Sequence, residues 1–248
     1  LADPDGWAQE FECQFMEHSS QVFPADVVKA CESTDASLDA SADQFSTDLR
    51  PRPVLFVGID VGRKRDLTVA WTLERIHGGT LVTREVLVLD RVPFPQQEAI
   101  LLPRVMAAAF TAIDATGIGG PVSEHLAASL DDTRLEGVTF TGDRKRELFE
   151  RLKKALQART VALPAAAVIR DDLGSMQRIV SPGGAIRYTA ARTADGHADR
   201  STALALAVHA AQRNPSVAPG AFAAARFPTG LRSRRRPALT RYRSAWAR

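Results

Sequence analysis

Three aspartates sit where carboxylates do chemistry. Asp60 closes the apolar run VLFVGI and is followed by Val61 and Gly62. Asp114 closes a second apolar run, AFTAI, and is followed by Ala115, Thr116 and Gly117. Asp199 opens a long small-residue segment, where it shares one helical face with Ala203, Leu206 and Ala210. A charge at the end of a buried strand is costly unless a metal, a partner or hydrogen bonds hold it. In open α/β sheets, ligands bind beyond the carboxyl ends of the strands. If the two strands are parallel neighbours, their final aspartates stand about 5 Å apart, and like charges that close repel unless a cation lies between them. An all-oxygen ligand set selects Mg²⁺ or Mn²⁺. Two such ions about 4 Å apart serve in-line phosphoryl displacement. The expected arrangement is Asp60 shared by two ions, with Asp114 and Asp199 on one each. Arg63, Lys64, Arg65, Arg144, Lys145, Arg146, Arg178 and Arg187 are the candidates for holding a phosphate backbone.

Each acid also has an ordinary reading. Asp60 and Asp114 could be turn residues bonding their own loops. Asp199 could be a first-turn acid favoured by the helix dipole. Asp195 competes with Asp199, either as the helix cap or as the third ligand. His197 and His209 read as packing or surface residues, and the Arg-Lys runs, taken singly, as solvated faces.

The elements that position these acids follow from periodicity and turn chemistry. Strands are expected at about 53–60, 67–76 and 80–90, the last two joined by a His77-Gly78-Gly79 turn. A helix over about 95–109 is interrupted by Pro103, which must kink or restart it. A fourth strand at 109–114, a helix after Gly120, a fifth strand at 137–142 and a charged helix over 143–158 come next, with Asp143 as its N-cap. Residues 165–177 suit another helix, 178–189 a hairpin about Pro182-Gly183-Gly184, and 196–213 a final helix. Three antiparallel strands followed by βα crossovers predict a mixed five-stranded α/β sheet with helices on both faces.

The 248 residues allow one large domain with extensions. Charge is segregated. Residues 1–49 hold eleven acids and one lysine, and residues 214–248 hold eight arginines and no acid, although the net charge is only +3. Four regions are expected: a helical connector over 1–31, an acidic linker over 32–50, the catalytic domain over 51–213 and a basic tail over 214–248. Trp7, Phe11 and Phe15 make an aromatic stripe on the connector, and the start at Leu1 suggests a piece of a longer chain. Two cysteines, Cys13 and Cys31, form neither a disulfide framework nor a zinc pattern, which points to a cytoplasmic protein. No apolar run reaches the ~18 residues of a membrane span.

At this point the chain resembles a known family. GIDVGRKRD, AIDATGIGGPVSEHL, FTGDRKRELFERLKKAL and HADRSTALALA are similar to the carboxyl-terminal nuclease domain of phage large terminase subunits, particularly the Mu-type. WAQEFECQF is similar to the segment joining the terminase ATPase to its nuclease. The resemblance covers about residues 5–212. It implies an RNase H-like fold and a metal-dependent endonuclease that cuts concatemeric viral DNA during packaging. It also implies double-stranded DNA, the terminase ATPase domain, the small terminase subunit and the portal as partners. Asp60, Asp114 and Asp199 match the family's three metal-binding acids, Asp66 a frequent additional acid, and the 178–189 hairpin an element beside the site that can touch DNA. The chain lacks the GxxxxGK[ST] phosphate loop, so it is not itself the ATP-driven motor.

Two other classes compete. GIDVG also resembles the first phosphate loop of actin-like and sugar-kinase ATPases, but no second Gly-rich loop accompanies it. A non-catalytic DNA-binding packaging module, including a prophage remnant, would keep the basic tail and lose the cutting. Junction resolvases and transposases are neighbours by chemistry. No element reads as a base-reading helix, so backbone and shape recognition with a steep salt dependence is expected.

Overall fold

The computed structural model describes residues 18–41, 44–45, 52–62, 67–130, 134–181, 184, 186–190 and 198–213. The aromatic stripe of the connector, Arg63, Lys64, Arg65, Asp66, Asp195, His197 and the basic tail lie outside these.

The fold is built on the apolar run that ends in Asp60. Residues Val54–Asp60 form β2, buried along its length as far as Ile59. A strand buried on both faces must sit in the middle of a sheet, and β2 does. It pairs antiparallel with β3 (Thr68–Arg75) and parallel with β5 (Phe110–Asp114), Ile59 opposite Ile113. β3 pairs antiparallel with β4 (Leu81–Leu89), and β6 (Leu135–Val138) lies parallel to β5. The sheet order is β6-β5-β2-β3-β4-β7. The sixth strand, β7, is only Val161–Ala162, parallel to β4. Two residues carry no readable periodicity, which is why the sequence predicts five strands rather than six.

Helices cover both faces. α2 (Phe94–Ala107) and α3 (Gly119–Ala127) pack with Val57, Ile59 and Ile113 on one side. α4 (Gly142–Gln157) and α6 (Asp199–Arg213) pack with Val54, Phe56 and Ala112 on the other, together with α1 (Ala25–Lys29) and α5 (Ala167–Gly174). One helix runs through Pro103, which therefore does not restart it. The α4 cap is Thr141, whose hydroxyl accepts from the Arg144 amide at 3.1 Å, not Asp143 as expected.

α6 is the central helix, buried from Asp199 to Ala211. It lies so close to β2 that a Cβ on Gly58 would fall inside the contact distance of the Ala203 carbonyl and the Ala207 amide. Gly58 and the alanines of α6 are thus two halves of one close approach. Leu204, Leu206 and Val208, each 1% exposed or less, add about 1.5–3 kcal/mol apiece through burial.

A second sheet, β1-β8-β9, joins β1 (His18–Gln21) to the predicted hairpin, β8 (Met176–Val180) and β9 (Ile186–Ala190). Part of the segment expected as an acidic linker is bonded to the main sheet. Ser37 donates its amide to Thr83 O at 3.0 Å, and Leu38 accepts from the Val86 amide at 2.9 Å. Leu38 also packs on the core. Residues 33–38 are therefore held along β4 rather than free, because one leucine and a few backbone bonds suffice to dock a polar stretch on a sheet edge. Among the described residues, no helix is long and apolar enough to cross a membrane.

Candidate active site

Strand parity decides where the acids point. On β2 the even positions Val54, Phe56 and Gly58 face α6, and Asp60 continues that series. On β5 the even positions Phe110 and Ala112 face the same side, and Asp114 continues it. Because β2 and β5 are parallel neighbours, both carboxylates leave the same end of the sheet on the same face. α6 begins there with Asp199, 5% exposed, whose Oδ2 accepts from the Leu67 amide at 3.0 Å. That bond ties the start of α6 to the chain entering β3. Gly119, opening α3, is required by another close approach, since a Cβ there would strike the Asp114 carbonyl.

Asp60 senses both other acids. Burial pushes the Asp60 carboxyl well above its ordinary value of 3.8, and the charges of Asp199 and then Asp114 push it further. Lys145 on α4 opposes this, and Asp172 on α5 adds to it. Asp114 is also raised, chiefly by burial. Hydrogen bonds from Thr116, including its amide to Oδ1 at 2.8 Å, and the charge of Lys145 hold it back. Among the described residues, no three acidic, histidine or cysteine side chains stand close enough to make a finished metal-ligand shell. What the fold assembles is a group of like charges, with no thiol and one nearby lysine noted above, and hard oxygen donors of this kind fit Mg²⁺ or Mn²⁺.

The basic candidates divide. Among the described candidates, Lys145 is the one whose charge reaches Asp60 and Asp114, and its ammonium lies 5.9 Å from the Phe149 ring centre. Arg144, the preceding residue, turns the other way. It bonds Glu147 at 2.7 Å, Glu136 at 3.0 Å and His209 at 3.1 Å. Its guanidinium fastens α4 to β6 and α6, a structural role that the sequence run RKR did not reveal. Arg146 is exposed and pairs with Asp143 at 3.1 Å. Arg178 stands opposite Tyr188 in the hairpin, and Arg187 is exposed on β9. Tyr188 donates to Glu150, stacks on Phe149 at 5.7 Å, and has its phenol pushed up to about 12 by burial and by Glu150. The hairpin is thereby fixed to the helix that carries Lys145.

One residue near the site was missed. Asp172 accepts from the backbone amides of Ser201 at 2.8 Å and Arg200 at 3.3 Å. It caps α6 from another helix. Cap patterns are read immediately before the helix, where Asp195 lies outside the described residues, and they do not reveal an acid from a different element. His209 is not a ligand but a buried member of the Glu136 network, as a packing histidine should be.

No protein-family model matches the chain, and no curated protein matches it. Solved structures do. The large terminase nuclease from thermophilic phage G20c with bound magnesium superposes with a TM-score of 0.59 at 20% identity, over 76% of this chain and 96% of that one. A mutant nuclease domain of the large terminase subunit of bacterial virus Sf6, with manganese, gives 0.54 at 9% identity, over 77% and 99%. The large terminase of bacteriophage HK97 gives 0.56 at 13% identity, over 79% of this chain and 45% of that one. The chain has the RNase H-like fold of these terminase nuclease domains.

Proposed function

We propose that this chain is a metal-dependent DNA endonuclease of the large terminase type, cutting concatemeric viral DNA by phosphodiester hydrolysis during genome packaging. The observation that carries the reading is that Asp60, Asp114 and Asp199 lie at one end of the sheet, where the charges of Asp199 and Asp114 add to the proton affinity of Asp60. The fold shared with terminase nucleases, one of them with bound magnesium, agrees with it. The Mu-type subdivision rests on the sequence motifs alone.

In this reading Asp60, Asp114 and Asp199 hold two divalent cations, Mg²⁺ or Mn²⁺, with Asp60 shared and Asp66 as a further donor. When bound, such ions make water more acidic and neutralise the charge that develops on the phosphate. Lys145 opposes the rise in proton affinity of Asp60 and Asp114 and stands ready for a phosphate oxygen. Arg63, Lys64, Arg65, Arg146, Arg178 and Arg187 hold the duplex by its backbone, so binding weakens steeply with salt. The partners are double-stranded DNA, the terminase ATPase, the small subunit and the portal, and the setting is the host cytoplasm.

Supercoiled plasmid incubated with the protein and Mn²⁺ tests the proposal. The wild type yields nicked and linear DNA, and Asp60→Asn does not. Undiminished cleavage by Asp60→Asn overturns the assignment, and DNA binding without Mn²⁺-dependent cleavage favours a non-catalytic packaging module.

A further inference from the structure

Asp172 lies on α5 and has no part in the proposed chemistry, yet it is 9% exposed, and its partners Arg200 and Ser201 are 4% and 0% exposed. A buried aspartate is tolerated when its oxygens are bonded and its charge is matched. Both conditions hold. Oδ1 accepts from the Ser201 amide at 2.8 Å and from the Ser201 hydroxyl at 2.5 Å. Oδ2 accepts from the Arg200 amide at 3.3 Å and faces the Arg200 guanidinium at 3.6 Å.

Among the described residues, the start of α6 has no local side-chain cap to do this. Ala198 offers no side-chain acceptor, and its φ of 57° lies in the left-handed region that non-glycine residues seldom adopt. Such a conformation persists where the surroundings over-determine it. Below the turn, Thr202 donates both its amide and its hydroxyl to Ala198 O at 3.0 Å. Above it, Asp172 holds the next two amides. Asp199 stands between these clamps, and its carboxylate reaches Leu67 from there.

We infer that Asp172 is a positioning residue. By clamping the Arg200 and Ser201 amides from α5 it fixes the first turn of α6, and so the direction of the Asp199 carboxylate. The consequence for cation binding rests on the metal-site reading above; the placement of Asp199 does not. A buried charge is thus kept outside the ligand set to orient a ligand, as partners of metal-binding side chains commonly do.

The test uses the full chain with Asp172→Asn and Ser201→Ala, and two readouts at a temperature where circular dichroism shows native helix. The first is the Leu67 amide in the metal-free protein, followed by NMR shift and hydrogen exchange. The second is Mn²⁺ affinity by electron paramagnetic resonance. In Asp172→Asn the Leu67 amide shifts and loses protection, and Mn²⁺ binding weakens about 10–100-fold. Ser201→Ala, which removes only a hydroxyl, moves both readouts the same way by a few-fold and decides the matter if Asp172→Asn does not fold. A lower melting temperature with an unmoved Leu67 amide and unchanged Mn²⁺ affinity makes Asp172 a cap and nothing more, and overturns the inference. If the wild type binds no Mn²⁺ but the Leu67 amide still moves, the metal-site reading fails and the positioning role stands.

Discussion

Two charged clusters lie along α6, and they are built on opposite principles. At its N-terminus, Asp60, Asp114 and Asp199 share one end of the sheet, and among the described residues Lys145 opposes the rise of Asp60 and Asp114. Farther along, Glu136 and Glu147 meet Arg144, Arg151, Arg213 and His209, with Glu136 alone bonded to Arg144, His209 and Arg213 at 3.0, 3.0 and 3.1 Å. The titration of the two clusters diverges accordingly. Asp60 is pushed up, first by burial and then by its neighbours' charges, whereas the Arg144 hydrogen bond holds Glu147 down. α4 serves both clusters from consecutive residues, Arg144 to one and Lys145 to the other. A cluster whose acids are paired with cations holds elements together. A cluster of neighbouring carboxylates is costly to the fold unless something neutralises it.

The largest expected effect is at Asp60. Asp60→Asn lowers Mn²⁺-dependent cleavage by on the order of 10³-fold, since metal-borne charge stabilisation is worth several kcal/mol. The same change stabilises the metal-free fold by about 0.5–2 kcal/mol, the usual gain on relieving a functional site. Its pH dependence has a definite sign. The native Asp60 pKa is raised, so the native state binds more protons than the unfolded state from about the ordinary value of 3.8 up to the native value. Stability is therefore lost as pH rises through that window, and the full penalty remains above it. Thermal melts of Asp60→Asn lack this component, and a variant that melts lower than wild type at neutral pH breaks the contrast between the clusters.

Glu136→Gln tests the paired cluster. It deprives Arg144, His209 and Arg213 of a charged acceptor and costs about 1–3 kcal/mol in urea unfolding. Cleavage per folded molecule stays at the wild-type level. His209 is held below its ordinary 6.5 chiefly by burial, with Glu136 opposing. The unfolded state therefore takes up a proton first, and the His209 contribution to stability is lost as pH falls from about 6.5 through the native value. Without Glu136 that loss extends to lower pH. The smallest effect is at Lys145. Lys145→Ala raises Asp60 and Asp114 further, so the acid limb of the cleavage profile moves to higher pH, and the salt slope of DNA binding falls by about one.

The sequence carried much of this because period-two alternation and strand-end acids are local. Apolar runs and small-residue turns put Asp60 and Asp114 at strand ends, and the parallel pairing that was only supposed for those strands is present in the structure. Asp199 was legible from the small face of its helix. What local patterns do not encode is which distant side chain a charge meets. Arg144 and Lys145 are alike in sequence, yet one faces Glu136 and Glu147 and the other faces the acids. Asp172 was hidden for the same reason, since its partners Arg200 and Ser201 belong to another helix. β7 was too short to show a period, and the docking of 33–38 depends on backbone bonds that any sequence can make.

The claim that the aspartate cluster is a cation site is tested most directly by anomalous diffraction from crystals of the wild-type chain soaked in Mn²⁺. The account predicts a peak about 2.0–2.6 Å from carboxylate oxygens of Asp60 and at least one of Asp114 and Asp199, absent from Asp60→Asn crystals. A fully soaked crystal with no peak there, or with manganese held only by other residues, contradicts it.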